Sequence, residues 1–252
     1  MSRTPEGRIT SRQNPWFRRF LDAARTHDQE LLLEGPKQIA DARRAGWVPL
    51  AWALDEDVAS PDPDVPTISL ARSLIRELTD ARHPQGVLAL FRRPQSDSAA
   101  LFASVVPLLV VLDGIQDPGN VGTIVRLATA FDATGVVTTE GTADPFAPKA
   151  LRASAGAALL VPVVKTTTGE LVRLLEARSI PLFAAEADGE EIAIRRPAAI
   201  VFGNEGGGVS EEIRARARTV GIRMSPRIDS LNVGAAAAIL LHRVFTESGK
   251  SR

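Results

Sequence analysis

The chain contains no cysteine, which excludes a disulfide scaffold, a thiolate zinc site and a cysteine nucleophile together. Only three histidines occur, His27, His83 and His242, far apart in the chain, so no metal site is expected. Long apolar runs are lacking too; none reaches the length needed to span a bilayer. The opening stretch MSRTPEGRITSRQNP lacks the apolar core of a secretory signal. A soluble cytoplasmic protein is expected. Net charge is also missing, because 30 basic residues balance 30 acidic ones. This argues against a globally basic protein that coats nucleic acid, and leaves room for a local patch. Lysine is scarce: four of the 30 basic residues, the rest being arginine. GC-rich coding accounts for such a bias, and phosphate recognition by guanidinium forks is the functional alternative.

What is present is enough apolar material for a core: 44% of the 252 residues are hydrophobic and 24% charged, which suits one large domain or two modest ones. Residues 1–25 carry six arginines against two acids, the one clear charge asymmetry. It reads either as a solvated helix face or as an RNA backbone contact. Trp16, Phe17, Phe20, Leu21 and Ala24 recur at helical spacing after Asn14-Pro15. Strands are expected at 31–33, 48–54 and 86–91, with helices from Pro36 to about Ala45 and after a cap at Ser69. The polar stretch 92–100 reads as a linker. Beyond it, strands at 107–114, 135–139, 161–164, 181–185, 198–203 and 220–224 alternate with helices at 121–131, 147–155, 169–178, 210–217 and 231–245. Such alternation predicts an α/β fold with a mainly parallel sheet covered by helices on both faces. The last helix, LNVGAAAAILLHRVF, is almost wholly apolar and calls for burial by the sheet or by a partner chain.

Three segments carry candidate chemistry. In LDGIQDPGNVGTIVRLATAF (112–131) a strand ends and the chain turns into a helix, the position at which open α/β sheets bind ligands. Asn120 sits where an N-cap belongs, and Arg126 lies off the apolar face, where a solvated charge is the plain alternative. In IVFGNEGGGVS (200–210) glycines follow a buried strand and allow close backbone approach, or simply a flexible turn. No Gly-Lys-Ser/Thr follows and the dinucleotide spacing is absent, so neither a P-loop nor a dinucleotide fingerprint is present. Glu205 within the glycines suits a sulfonium cation or a hydroxyl donor and not a phosphate. In IRMSPRIDSLNVGAAAAILL (222–241) Ser230 is placed as an N-cap and Asn232 in the first turn; both fit a structural or a functional role.

In this order and spacing the three segments resemble the signature motifs of the SpoU/TrmH family, RNA ribose 2′-O-methyltransferases of the SPOUT class. Residues 1–95, through SRQNP (11–15), LLLEGPKQI (31–39) and HPQGVLAL (83–90), resemble the small substrate RNA-binding domain that often precedes it. The resemblance implies three parts: that domain at 1–95, a linker at 96–104 and a catalytic domain at 105–252 whose C-terminal sheet is tied in a trefoil knot. It further implies S-adenosylmethionine as cofactor, cradled by Gly203, Ile222 and Leu231. Arg126 takes the key catalytic role, with Asn120, Glu205, Ser230 and Asn232 as the remaining polar active-site positions. Arg12, Arg18, Arg19 and Arg152 are the expected RNA contacts. The partners implied are structured RNA, ribosomal RNA before transfer RNA, and a second copy of the chain in a homodimer; no membrane is involved. One departure stands out: the family's Ile-Pro-Met, with a glycine two residues on, is here Ile222-Arg223-Met224 with Pro226 in the glycine's place. Two other readings are a non-catalytic RNA-binding module on the same scaffold, which need not retain the whole polar set, and a nucleotide-dependent enzyme, which the missing phosphate-loop lysine opposes.

Overall fold

A computed structural model describes residues 7–81, 83–94 and 97–249. Arg3, one of the six N-terminal arginines, lies outside the described residues, as do Gln95 and Ser96. The chain divides into two compact units, Met1–Pro94 and Gln95–Arg252.

In the first unit, helix α1 (Pro15–Arg25) begins where the Asn14 side chain accepts the Trp16 N–H at 2.9 Å, with Pro15 at the first helical position. Its buried face is Trp16, Phe17, Phe20 and Ala23. There follow β1 (Glu30–Glu34), α2 (Pro36–Arg44), β2 (Pro49–Asp55), β3 (Thr67–Leu70), α3 (Arg72–Glu77) and β4 (Val87–Arg92). The sheet order is β1-β4-β2-β3, with β4 antiparallel to both neighbours and β3 parallel to β2. Ser69, expected as a helix cap, lies instead in β3. Ile68 and Leu70 point into the core, and pairing with β2 outweighs the local capping preference, so α3 starts only after Ala71.

The second unit opens on a 3-10 turn, Ser98–Phe102, inside the stretch expected as a linker. Leu101 is 1% exposed and packs in the core, its methyl filling the space left by Gly135, and this anchors the segment to the unit. The unit continues with β5 (Leu108–Asp113), α4 (Pro118–Ala130), β6 (Gly135–Thr138), α5 (Pro148–Ala153), β7 (Val163–Lys165), α6 (Thr168–Glu176), β8 (Leu182–Glu190), β9 (Ala198–Gly203), α7 (Glu211–Arg214), β10 (Arg218–Val220) and α8 (Val233–Gly249). The six strands run in the order β10-β8-β9-β5-β6-β7, and every pairing is parallel. All residues of β5, β6 and β9 are buried, as a parallel sheet covered on both faces requires. Leu109 and Val111 pack with Leu171, Val172 and Leu175 of α6; Val110 and Leu112 are equally buried on the opposite face.

Two expectations need correction. The helix expected to run to 217 is one turn long, and Ser210 does not cap it with its hydroxyl, which is buried without a partner. The last strand is Arg218–Val220, not 220–224, because the backbone at Gly221 packs against Gly189 of β8 and the chain then leaves the sheet. Helix α8 is buried along one stripe only, including Ala237, Leu240, Leu241 and Val244; Ile239 and Phe245 are exposed. Among the described residues no helix is long and apolar enough to cross a membrane.

If 98–102 belongs to the second unit's core, Leu101→Ala should cost about 2–5 kcal/mol of unfolding free energy. Denaturant melts with unchanged slope check this; a midpoint matching the parent protein would mean that the segment is a free connector.

Candidate functional site

The site is assembled at the carboxyl ends of β5 and β9, which are neighbours, with Asp113 directly opposite Gly203. Asp113 is buried, and both its oxygens are engaged. Oδ1 accepts the Thr139 hydroxyl at 2.6 Å and Oδ2 accepts the Ser210 N–H at 2.7 Å. One carboxylate thus joins the ends of β5 and β6 to the far end of the glycine loop after β9. Asn204 closes the same loop: Nδ2 donates to the Gly114 carbonyl at 2.7 Å, while Oδ1 accepts the N–H groups of Gly206 and Gly207 at 2.8 and 3.2 Å. A Cβ on Gly203 would fall 2.2 Å from the Gly208 carbonyl carbon. The loop's own backbone therefore demands that glycine, in addition to any ligand.

Helix α4 is capped by Asp117, which accepts the Gly119 N–H, and not by Asn120. Lys149 donates to Asp117 at 2.6 Å, and this hydrogen bond, with the Gly119 N–H, holds the carboxyl below the usual aspartate range. Relieved of capping, Asn120 reaches out from the first turn. Its Nδ2 donates to Glu205 at 2.7 Å, and its Oδ1 accepts from Asn232 Nδ2 at 3.2 Å. Asn232, not Ser230, caps α8, its Oδ1 accepting the Gly234 N–H at 2.9 Å. Gly234 lets α8 approach α4 closely, since a Cβ there would stand 3.1 Å from the Thr123 methyl. A chain of three polar side chains, Glu205–Asn120–Asn232, thereby links the three sequence segments.

Beside this chain lies a cavity of about 430 Å³. Its walls include Gly203, Ile222 and Leu231, the three expected cofactor positions, and Glu205, Ser230 and Asn232. Phe202, Val220, Met224 and Leu240 make part of it apolar. The charged residues among those lining it are both acids, Glu205 and Glu186. Glu186, on the extension of β8 beyond the predicted strand, pairs with Arg214 at 3.0 Å. Sequence reasoning passed over Glu186 and Asp113. Glu186 carried no signal, but an acid closing the wholly apolar run LLVVLD was a visible anomaly.

Of the remaining expected positions in this unit, neither Arg126 nor Arg152 lines the cavity. Arg126 is exposed on the outer face of α4, without a partner among the described residues, and does not line the cavity. Arg152 is exposed in the last turn of α5. Arg12, Arg18 and Arg19 belong to the first unit. Arg12 pairs with Glu77 at 2.8 Å, and Arg19 donates to Glu30 at 2.9 Å while lying 5.2 Å over the Trp16 ring; Arg18 is exposed. Arg8 pairs with Glu56. Much of the N-terminal basic excess is therefore matched by acids from other segments.

A model of the SpoU rRNA Methylase family matches residues 107–242. The chain belongs to this family. It is 29% identical over 93% of its length to an uncharacterized tRNA/rRNA methyltransferase of Synechocystis, covering 92% of that chain. It is 26% identical over 91% of its length to the 23S rRNA (guanosine(2553)-2′-O)-methyltransferase RlmP of Bacillus subtilis, covering 94% of that protein. Among solved structures, the SpoU methyltransferase AviRb of Streptomyces viridochromogenes, in complex with AdoMet, superposes with a TM-score of 0.84 at 26% identity, over 93% of this chain and 98% of that one. The three SpoU segments are the ones that the Glu205–Asn120–Asn232 chain connects.

Because the folded Asp117 carboxyl titrates below its unfolded value of about 3.9, its cap and its Lys149 contact persist above that pH. Both are lost as pH falls through the depressed pKa. An NMR titration should place the Asp117 midpoint below that of free aspartate, and Lys149→Ala should raise it; no movement in the variant would refute the assignment. Asp113→Ala leaves a buried N–H and a buried hydroxyl without their acceptor, at about 1–3 kcal/mol each. It should lower the unfolding midpoint and free the 204–210 amides to hydrogen exchange.

Proposed function

We propose that this chain transfers a methyl group from S-adenosylmethionine to a ribose 2′-hydroxyl of RNA, ribosomal RNA before transfer RNA. The observation that carries the reading is the Glu205–Asn120–Asn232 chain, whose two ends, Glu205 and Asn232, line a cavity that Gly203, Ile222 and Leu231 help to form. The full-length likeness to a relative named for 23S rRNA ribose methylation supports the choice of substrate.

The cavity fits the cofactor. Its volume lies within the range of about 300–1,000 Å³ usual for small-molecule sites. The apolar walls suit an adenine ring, and two lining acids favour a cation over a phosphate. When bound, S-adenosylmethionine supplies an electrophilic methyl group on a sulfonium centre. Gly203, Ile222 and Leu231 would hold it.

The nucleophile is a weak hydroxyl that must lose its proton during attack, and donor and acceptor must stand in line, so positioning is a large part of the barrier. Asn120 holds one oxygen of Glu205, leaving the other to receive a ribose hydroxyl. Ser230 and Asn232, on the same wall, orient the sugar. Arg126 stays protonated, so its role is to bind the target phosphate and stabilise developing alkoxide charge, not to act as a base.

Arg126 lies outside the cavity of its own chain, and the homodimer belongs to the same proposal. The exposed Ile239 and Phe245 of α8, the latter with its ring 5.9 Å from that of Phe131, give a second copy an apolar face to cover. The trefoil knot is part of it as well: after β10 at the sheet edge, the chain returns through 222–232 to the cavity beside β9. The first unit, with Arg12, Arg18 and Arg19, and Arg152 on α5 are assigned to RNA contact.

Arg126→Ala should lower kcat by about 100-fold or more, while calorimetry shows S-adenosylmethionine affinity unchanged. Retained turnover on total RNA, read by mapping of 2′-O-methyl sites, would refute the role. Sedimentation at micromolar concentration should show a dimer; monomer alone would remove the second copy from the account.

A further inference from the structure

The segment 222–232 does two things at once. Ile222 and Met224 line the cavity, as do Ser230, Leu231 and Asn232, while Arg223 and residues 225–229 are exposed. It is the cavity's rim. Arg223 and Arg227 sit on this rim with no acid, carbonyl or ring partner among the described residues. Nearby arginines of the same unit are occupied: Arg214 pairs with Glu186 at 3.0 Å and Arg243 with Glu191 at 2.7 Å.

The rim is also shaped. The Ser225 carbonyl accepts the Ile228 N–H at 3.4 Å, closing a turn, and Pro226 restricts the backbone inside it. Arg227 lies inside that turn, next to Ile228, which is 52% exposed, and Arg223 lies two residues before it. Asp188, Glu191 and Asp229 line the adjoining groove with Arg223, Glu191 being paired with Arg243, and these acids prevent a broad basic field. What remains is a pair of directed forks, the geometry suited to individual phosphates.

A ribose delivered to Ser230 and Asn232 brings a phosphate on each side of it, through its 3′ and 5′ oxygens. We propose that Arg223 and Arg227 grip the backbone phosphates flanking the target ribose, which makes the 223–229 rim the RNA-docking edge of the cavity. The inference rests on the methyltransferase reading and names the edge through which its RNA enters. It also gives a use to the two positions where this chain departs from Ile-Pro-Met-x-Gly: Arg223 supplies one fork, and Pro226 stiffens the turn that carries Arg227.

The test uses the full chain and its R223Q/R227Q variant. Binding to poly(U) across a salt series should lose about 0.7 from the log–log slope for each phosphate contact removed, hence about 1.4 in the double variant. On total cellular RNA the variant's KM should rise with kcat unchanged, and calorimetry should give the parent affinity for S-adenosylmethionine. R223K/R227K should recover the slope, since lysine keeps the charge. An unchanged slope and KM in R223Q/R227Q would overturn the inference while leaving the methyltransferase reading intact. Weakened cofactor binding in that variant would also overturn it, by showing that the rim shapes the cofactor wall instead. Parent protein that methylates no RNA would bring down the underlying reading, a result visible before any variant is made.

Discussion

The parallel pairing of β5 with β9, sealed by the Asp113 carboxylate, is the constraint from which the site follows. Parallel strands present their carboxyl ends on one side of the sheet, and that is where ligands gather in open α/β folds. Here the pairing sets the turn after Asp113 against the glycine loop after Gly203, although 90 residues separate Gly114 from Asn204 in the chain. A buried carboxylate is costly unless its oxygens are satisfied. With Thr139 and Ser210 both donating, Asp113 converts that requirement into a joint between three strand-end segments. Any looseness there would be passed on to Glu205, which rides on the loop being held.

The third segment joins through helix packing. Asn232 caps α8 with its oxygen and donates to Asn120 with its nitrogen, so one amide sets both the start of the helix and its registration on α4. Capping and site geometry are not competing roles for this residue. The reverse division holds at α4, where Asp117 takes the cap and Asn120 is left for the site. The charged residues lining the cavity are the acids Glu205 and Glu186, while Arg126, Arg223 and Arg227, without a partner among the described residues, do not line it.

Charge read along the chain and charge read in space differ most in the first unit. The basic excess of residues 1–25 looks like an exposed phosphate-binding arm in one dimension. In three, Glu30, Glu56 and Glu77 come from later segments to meet Arg19, Arg8 and Arg12. Exposed pairs of this kind are weak, so they leave the arginines exchangeable toward a phosphate without committing them to one. Arg18 is exposed and has no such neighbour among the described residues.

The alternation of elements in the second unit was legible because buried parallel strands are continuous apolar runs, and LLVVLD and AAIVFG have no other stable reading. The three polar segments were legible by their joint order and spacing, since each residue alone has an ordinary structural use. Periodicity could not assign the caps: strand pairing draws Ser69 into β3, and at α4 and α8 the neighbouring Asp117 and Asn232 hold the caps expected of Asn120 and Ser230. The linker hid Leu101, since one leucine among small polar residues has no period. Glu186 and the tethering by Asp113 and Asn204 were likewise invisible, because their partners are distant in the chain. The local pattern of hydrophobic and polar residues thus determined which segments become strands, helices and candidate loops. Only the tertiary structure decided which of those loops meet, which asparagine caps and which reaches, and which arginines keep a free charge, because each of those outcomes is a contact between segments whose separation no local preference encodes.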